Sequence, residues 1–303
     1  QSPRIDDLRQ ISVRVMDGGD GRFDPGDRVI FYGESPDRWK YDRLTRNYSH
    51  QRNLYSDTTW YYLNFDQGPG KRVEDGIFPG TATHSTGFYD DFVFHEADLY
   101  NLVRSGKEWY GEPFDNTRNE YSFPFSFPGI DPSWPVRVKW SVVANSTAAS
   151  YFYLSNPSGI IDSLKIDSTD PKEFTRAGRA KSKNTTFPSP GPDQTLILKY
   201  VLPNPTSRGW LNFLEVSCRR ALAWSGPQML FRDLNSIATG RITEFSMTGA
   251  LEGVEVWDVT DPAEIRRPTA VLADGILKFT VATDTLREFI AFDGTGFLPV
   301  FPA

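Results

Sequence analysis

Tyr121-Ser-Phe-Pro-Phe-Ser-Phe-Pro128 alternates without a break, and its reading decides the fold class. Along an extended strand successive side chains point to opposite faces. Tyr121, Phe123, Phe125 and Phe127 therefore share one face, and Ser122, Pro124, Ser126 and Pro128 share the other. One face is aromatic and suited to a core. Proline has no N–H to give to a ladder, so the strand belongs at the edge of a sheet.

Downstream the same kind of segment recurs. Residues 136–144, 151–154, 195–202, 211–218, 241–247, 253–259, 276–283 and 288–292 read as strands, with no long helix between them. That spacing is what a β-sandwich or jelly roll produces. Upstream, residues 11–16, 28–33 and 58–65 read as strands. Residues 95–104 are expected to form one short helix, with Leu99, Leu102 and Val103 on one face and Gly106 as its stop. Asp131-Pro-Ser-Trp-Pro135 breaks the pattern. The expectation is thus an all-β chain of two tandem sandwich-like domains: an N-terminal β-rich domain over 1–133 and a second β-sandwich over 134–303. The polar stretch 167–192 is expected to be a long exposed loop or a partly ordered excursion.

Composition agrees. Of the 303 residues 14% are aromatic and only three are Met, a balance that favours pleated surfaces over helices. Gly and Pro, 24 and 22 in number, punctuate the whole length as turn residues. A formal charge of −6 disfavours nucleic acid, which requires a concentrated basic face. No apolar run approaches the roughly 20 residues a membrane helix needs. The single cysteine rules out an internal disulfide. A chain that opens at Gln1 without an initiator Met fits an exported protein whose signal peptide has been removed, or ends that were chosen.

Signs of chemistry are sparse. His50, His84 and His95 form no zinc motif; His95-Glu96 is half of one and lacks its second histidine. Cys218 would share a strand face with Leu214 and Val216, which makes it a core residue rather than a nucleophile. The best candidate site is Asp17-Gly-Gly-Asp-Gly-Arg-Phe-Asp-Pro-Gly-Asp27. Asp17, Asp20, Asp24 and Asp27 give it the hard oxygen ligands that calcium takes, but the same residues also make ordinary solvated turns. The eight tryptophans offer material for a sugar-stacking platform, or simply for a core. With 39 acidic residues, no glycosidase carboxylate pair can be picked out by sequence.

Several segments, in order along the chain, resemble a known family. They are Phe23-Asp-Pro-Gly-Asp-Arg-Val-Ile-Phe-Tyr-Gly33, Asn53-Leu-Tyr-Ser-Asp-Thr-Thr-Trp-Tyr-Tyr-Leu63 and Arg104-Ser-Gly-Lys-Glu-Trp-Tyr-Gly-Glu112. Asn212-Phe-Leu-Glu215 with Arg219-Arg220, and Val256-Trp-Asp-Val-Thr-Asp-Pro262, continue the series. Together they resemble the N-terminal region of the PorU-type sortases of type IX secretion systems, a gingipain-like cysteine peptidase family. The resemblance implies a protein exported to the cell surface, at the outer membrane of a Gram-negative bacterium. It also implies a peptidase domain following residue 303. That domain would carry the catalytic His and Cys, remove C-terminal signals from secreted cargo and attach the cargo to lipopolysaccharide. No residue of this chain matches the catalytic pair. Expected partners are the downstream peptidase domain, outer-membrane secretion proteins and cargo C-terminal signal domains. The competing expectations are a carbohydrate-binding β-sandwich module and an independent glycoside-active enzyme.

Overall fold

The structure is a computed structural model that describes residues 8–42, 47–64, 68–77, 79–102, 104, 108–170 and 177–301. Strands in the first part of the chain are β1 (Val13–Met16), β2 (Arg28–Phe31), β3 (Arg38–Asp42), β4 (Asn47–Gln51), β5 (Glu74–Ile77), β6 (His84–Thr86), β7 (Phe88–His95), β8 (Pro113–Phe114) and β9 (Glu120–Ser126). The middle supplies β10 (Val136–Asn145), β11 (Ser150–Asn156), β12 (Gly159–Ile166), β13 (Arg179–Phe187), β14 (Asp193–Val201) and β15 (Arg208–Ala221). The last part supplies β16 (Gln228–Arg232), β17 (Ile242–Thr248), β18 (Glu255–Asp258), β19 (Arg266–Pro268), β20 (Ala270–Ala273), β21 (Ile276–Ala282) and β22 (Glu288–Phe292). Helical structure among the described residues amounts to one 3-10 turn, Leu234–Ser236. The all-β expectation holds.

Two compact units divide the chain, and neither is contiguous: Trp39–Leu54 with Asp90–Ala221, and Gln1–Arg38 with Tyr55–Tyr89 and Leu222–Ala303. This division differs from the boundary expected at 133/134. Asp131 does begin a turn, but its N–H donates to Arg219 O at 2.8 Å, and Ala221 N–H donates to Gly129 O at 2.8 Å. These bonds tie the turn to β15 inside one unit.

In the unit built on Asp90–Ala221, one sheet runs β13-β10-β15-β7, with β8 also paired to β15, and the other runs β12-β11-β14-β9. Alternation explains how they pack. Val136, Val138, Trp140 and Val142 of β10 point inward with Leu214, Val216 and Cys218 of β15. They meet Phe152 and Leu154 of β11 and Leu196, Leu198 and Tyr200 of β14 in one buried cluster. Trp140 is fully buried and its indole N–H is satisfied, donating to Thr185 Oγ1 at 3.0 Å. β9 lies at the sheet edge and, among the described residues, pairs with β14 alone, with Pro124 opposite Thr195, as a proline requires. On the outer face of the first sheet lie β3 and β4, a separate two-stranded ribbon.

The other unit follows the same plan. Its sheets run β16-β22-β18-β19-β5 and β20-β21-β17-β6. Phe231, Phe245, Phe279 and Phe289 interlock between them, with Phe245 and Phe279 stacked at 5.3 Å and Phe279 edge-on to Phe289 at 5.2 Å. Trp257 and Phe292 face the other way and are covered by Ile30 and Tyr32 at the β1–β2 ribbon. Arg14 of that ribbon pairs with Glu255 of β18.

Three local expectations fail for identifiable reasons. The helix at 95–104 is absent: His95 ends β7, and 96–102 and 104 are irregular, while Val103 and Gly106 lie outside the described residues. Backbone donors a helix would use go elsewhere, since Leu99 and Tyr100 N–H both donate to Tyr110 O, at 3.0 and 2.8 Å. Residues 58–64 carry a strand-like pattern but have no partner strand among the described residues, and Phe65 lies outside them. The polar stretch 167–192 contains β13, whose Thr185 and Phe187 are buried and whose Lys181 and Lys183, on the same face, reach across to β12, to Lys165 O and the Asp162 carboxylate; residues 171–176 lie outside the described residues.

Gly209 of β15 marks a close approach between the two sheets. A Cβ there would lie 2.6 Å from Phe152 Cζ and 3.3 Å from the Tyr200 ring. Gly209→Ala is expected to destabilise the chain by about 1–3 kcal/mol, the usual cost of overpacking a core. Urea unfolding of the two proteins measures it, and equal midpoints would contradict the packing described.

Candidate functional site

The outer face of the β13-β10-β15-β7 sheet should be polar, because its inner face is the core. Over β7 and β15 it is instead aromatic in part, with a buried carboxylate at Glu215. Phe213 and Glu215 alternate with the inward Leu214 and Val216 on β15, Lys139 does the same on β10, and Phe92 and Phe94 do so on β7. The β3–β4 ribbon covers this surface. Trp39 of β3 lies 4.1 Å, ring centre to ring centre, from Phe92, and Tyr48 of β4 lies 4.7 Å from it.

His50 of β4 sits at the centre of the contact. Its ring stacks on Phe94 at 4.2 Å and meets Phe213 edge-on at 5.0 Å. With only 4% of its side chain exposed, it lies between two carboxylates. Nδ1 is 2.7 Å from Glu215 Oε1, and Nε2 is hydrogen-bonded to Glu96 Oε2. The His50 backbone N–H also donates to Glu215 Oε1, at 2.9 Å. Glu215 Oε2 is buried without a hydrogen-bond partner among the described residues; Lys139 Nζ supplies the compensating charge at 3.5 Å and donates to Ser49 Oγ at 2.8 Å.

Burial alone would lower the imidazole pKa, since it disfavours the charged ring. The hydrogen bonds and charges of Glu215 and Glu96 outweigh that effect and hold His50 above its ordinary value. A protonated ring donates from both nitrogens, one to each carboxylate. Chemically the arrangement fastens the ribbon to the sheet. Its titratable groups are spent on one another.

His95 and Glu96, adjacent in sequence, diverge in space. His95 Nε2 reaches Glu112 Oε1 at 2.8 Å on the inner side, with its ring 4.8 Å from Phe123, while Glu96 reaches out to His50. The half-motif is split between two separate pairs. Nothing in the local sequence connects His50 with Glu215, 165 residues away. The one signal available was a Glu inside the apolar alternation of β15.

Cys218 is buried in the sandwich core, and burial, with the nearby Asp91 charge, pushes its thiol pKa well up. That is the structural role expected of it. Asp17, Asp20, Asp24 and Asp27 all lie in the turn between β1 and β2. Asp17 Oδ1 accepts from Gly19 N–H at 3.0 Å, Asp20 Oδ1 from Arg22 N–H at 2.9 Å, and Asp27 Oδ2 from Asp24 N–H at 2.5 Å. Gly18 and Gly19 take φ of 66° and 87°, which explains the glycines there. Among the described residues no group of three or more His, Cys, Asp or Glu is placed to hold a metal ion. Of the tryptophans, Trp140 and Trp257 are core, and Trp60 is 62% exposed.

Fold and site together define an all-β protein of two sandwich units, each with a ribbon on the outside of one sheet. No family model matches the chain, and no curated protein does. Among solved structures, dimeric latent PorU from Porphyromonas gingivalis superposes on 96% of this chain with a TM-score of 0.75 at 21% identity. The chain has that fold, and it spans 28% of the length of that PorU chain. A carbohydrate-binding module of type CBM36, in complex with calcium and xylotriose, covers 42% of this chain and 98% of itself at a TM-score of 0.28 and 10% identity. The tandem CBM51 modules of a Streptococcus pneumoniae family 98 glycoside hydrolase cover 65% of this chain and 83% of themselves at 0.25 and 10%. Likeness at those two scores carries no argument.

With the carboxylates of Asp17, Asp20 and Asp27 bonded to their own turn, the acidic loop is expected to leave the melting temperature unchanged on chelation. A ligand bound only to the folded state stabilises it, so a clear fall with chelator, reversed by added calcium, would establish a calcium site at Asp17, Asp20, Asp24 and Asp27.

Proposed function

We propose that this chain is the non-catalytic N-terminal region of a PorU-like cysteine peptidase at the cell surface. In this reading it supports the peptidase domain or presents a docking surface to secretion-system proteins or cargo signal domains. The observation that carries the proposal is the fold match to PorU over 96% of the chain. The ordered segments from Phe23 to Pro262 that resemble this family point the same way. Cys218, the single cysteine, faces the core with a raised thiol pKa, which argues for a nucleophile supplied by other sequence. No helix among the described residues is long and apolar enough to cross a membrane, so attachment through a partner or through other sequence fits the proposal.

Incubated with a cargo protein bearing its C-terminal signal, the isolated 303-residue chain is expected to leave the signal intact. Cleavage that disappears in Cys218→Ala would place the nucleophile here and overturn the assignment.

One observation favours a second reading, a carbohydrate-binding surface. Tyr55, Trp60 and Tyr62 are 91%, 62% and 78% exposed in the irregular stretch after Leu54. Exposed rings of this kind can stack on sugars. Titration with lipopolysaccharide should then change Trp fluorescence, and Trp60→Ala should abolish the change. A flat response up to about 1 mM sugar, an affinity of only about 4 kcal/mol, removes this reading.

A further inference from the structure

We propose that the β3–β4 ribbon is a proton-operated clasp: protonated His50 fastens it to the sheet, and loss of that proton loosens it and uncovers the aromatic face of Phe92, Phe94 and Phe213. The argument begins with charge balance. Facing His50 from β15 is Glu215, from β10 Lys139, and from the segment after β7 Glu96. The ribbon's own side contributes Ser49 and Trp39, both uncharged. Arg52, which follows β4, is paired with Asp98 at 2.7 Å and adds no net charge. With His50 protonated, two positive groups therefore face two carboxylates. Without that proton, one carboxylate is left uncompensated where Glu215 is 5% and Glu96 15% exposed.

The imidazole geometry makes the change structural as well as electrostatic. A neutral ring keeps one N–H and presents a lone pair from its other nitrogen. Both nitrogens lie against carboxylate oxygens, so one of the two hydrogen bonds becomes a repulsive contact. Removing one partner of a buried pair leaves a stranded buried charge, which is among the costlier defects a fold can carry.

Burial disfavours the charged ring, but the two carboxylates outweigh it, so the pKa of His50 is raised in the folded state. The sign follows from linkage: the clasp is fully fastened below the ordinary histidine value of about 6.5 and weakens as pH rises through the higher folded-state value. The ribbon's remaining contacts with the sheet include the Trp39 and Tyr48 rings on Phe92 and the hydrogen bond of Ser49 with Lys139.

Hydrogen–deuterium exchange of the whole chain, expressed as protection factors so that intrinsic exchange rates cancel, reads the ribbon directly. Between about pH 5.5 and 8.5, the range in which histidine switches, amides of Asn47–Gln51 should lose about tenfold in protection for each unit by which His50 is raised. Amides of β10 should hold theirs. His50→Gln should give low ribbon protection at every pH. Should that variant not fold, Glu96→Gln, at the more exposed end of the cluster, should shift the loss to lower pH. Ribbon protection that tracks β10 at every pH would overturn the clasp. So would a pH-dependence that survives His50→Gln, or an imidazole that titrates at or below its ordinary value by NMR.

Discussion

Glu215 lies on a central strand of its sheet with 5% of its side chain exposed, and a buried carboxylate must be compensated. That requirement organises the outer face of the unit. Lys139 on β10 supplies charge, and the His50 backbone and ring supply donors. The ribbon that carries His50 then lies across Phe92, Phe94 and Phe213. Because Glu215 alternates with Leu214 and Val216, the strand that builds the core on one side fixes the ribbon on the other. One strand thus couples an apolar layer to a charged one.

Both units solve the same problem. A sheet in a sandwich buries one face against its mate, and the other faces solvent unless something covers it. Here each larger sheet is covered by a two-stranded ribbon: β3–β4 in one unit and β1–β2 in the other. The chemistry of the cover differs. Ile30 and Tyr32 close a hydrophobic cluster with Trp257 and Phe292, and Arg14 adds an ion pair to Glu255. Around His50 the fastening is a titratable hydrogen-bonded network. The superposition on PorU spans nearly the whole chain, so both units belong to the shared fold.

Much of this fold was legible locally. Period-2 alternation located β9 to β11, β14, β15, β17, β18, β21 and β22, because a half-buried strand is written in adjacent residues. Pro124 placed β9 at an edge for the same local reason. Alternation also put Cys218 in the core beside Leu214 and Val216. Residues 95–104 misled because helical spacing describes only which residues could share a face. Whether they do depended on Tyr110, whose carbonyl takes the N–H groups of Leu99 and Tyr100. Residues 58–64 misled in the opposite sense, since strand propensity without a partner strand makes no sheet.

The sequence by itself determined the class: an all-β chain with aromatic cores, an acidic turn at Asp17–Asp27 and a buried lone cysteine. Each follows from neighbouring residues and the geometry of one strand or turn. Tertiary structure alone decided how the chain is divided and where its titratable centre lies. Residues 39–54 leave the N-terminal part and join Asp90–Ala221. That places His50 between Glu96 and Glu215, 46 and 165 residues away. The physical reason is that burial and charge pairing act through space, so a histidine's protonation is set by residues the chain brings near, whatever their separation in sequence.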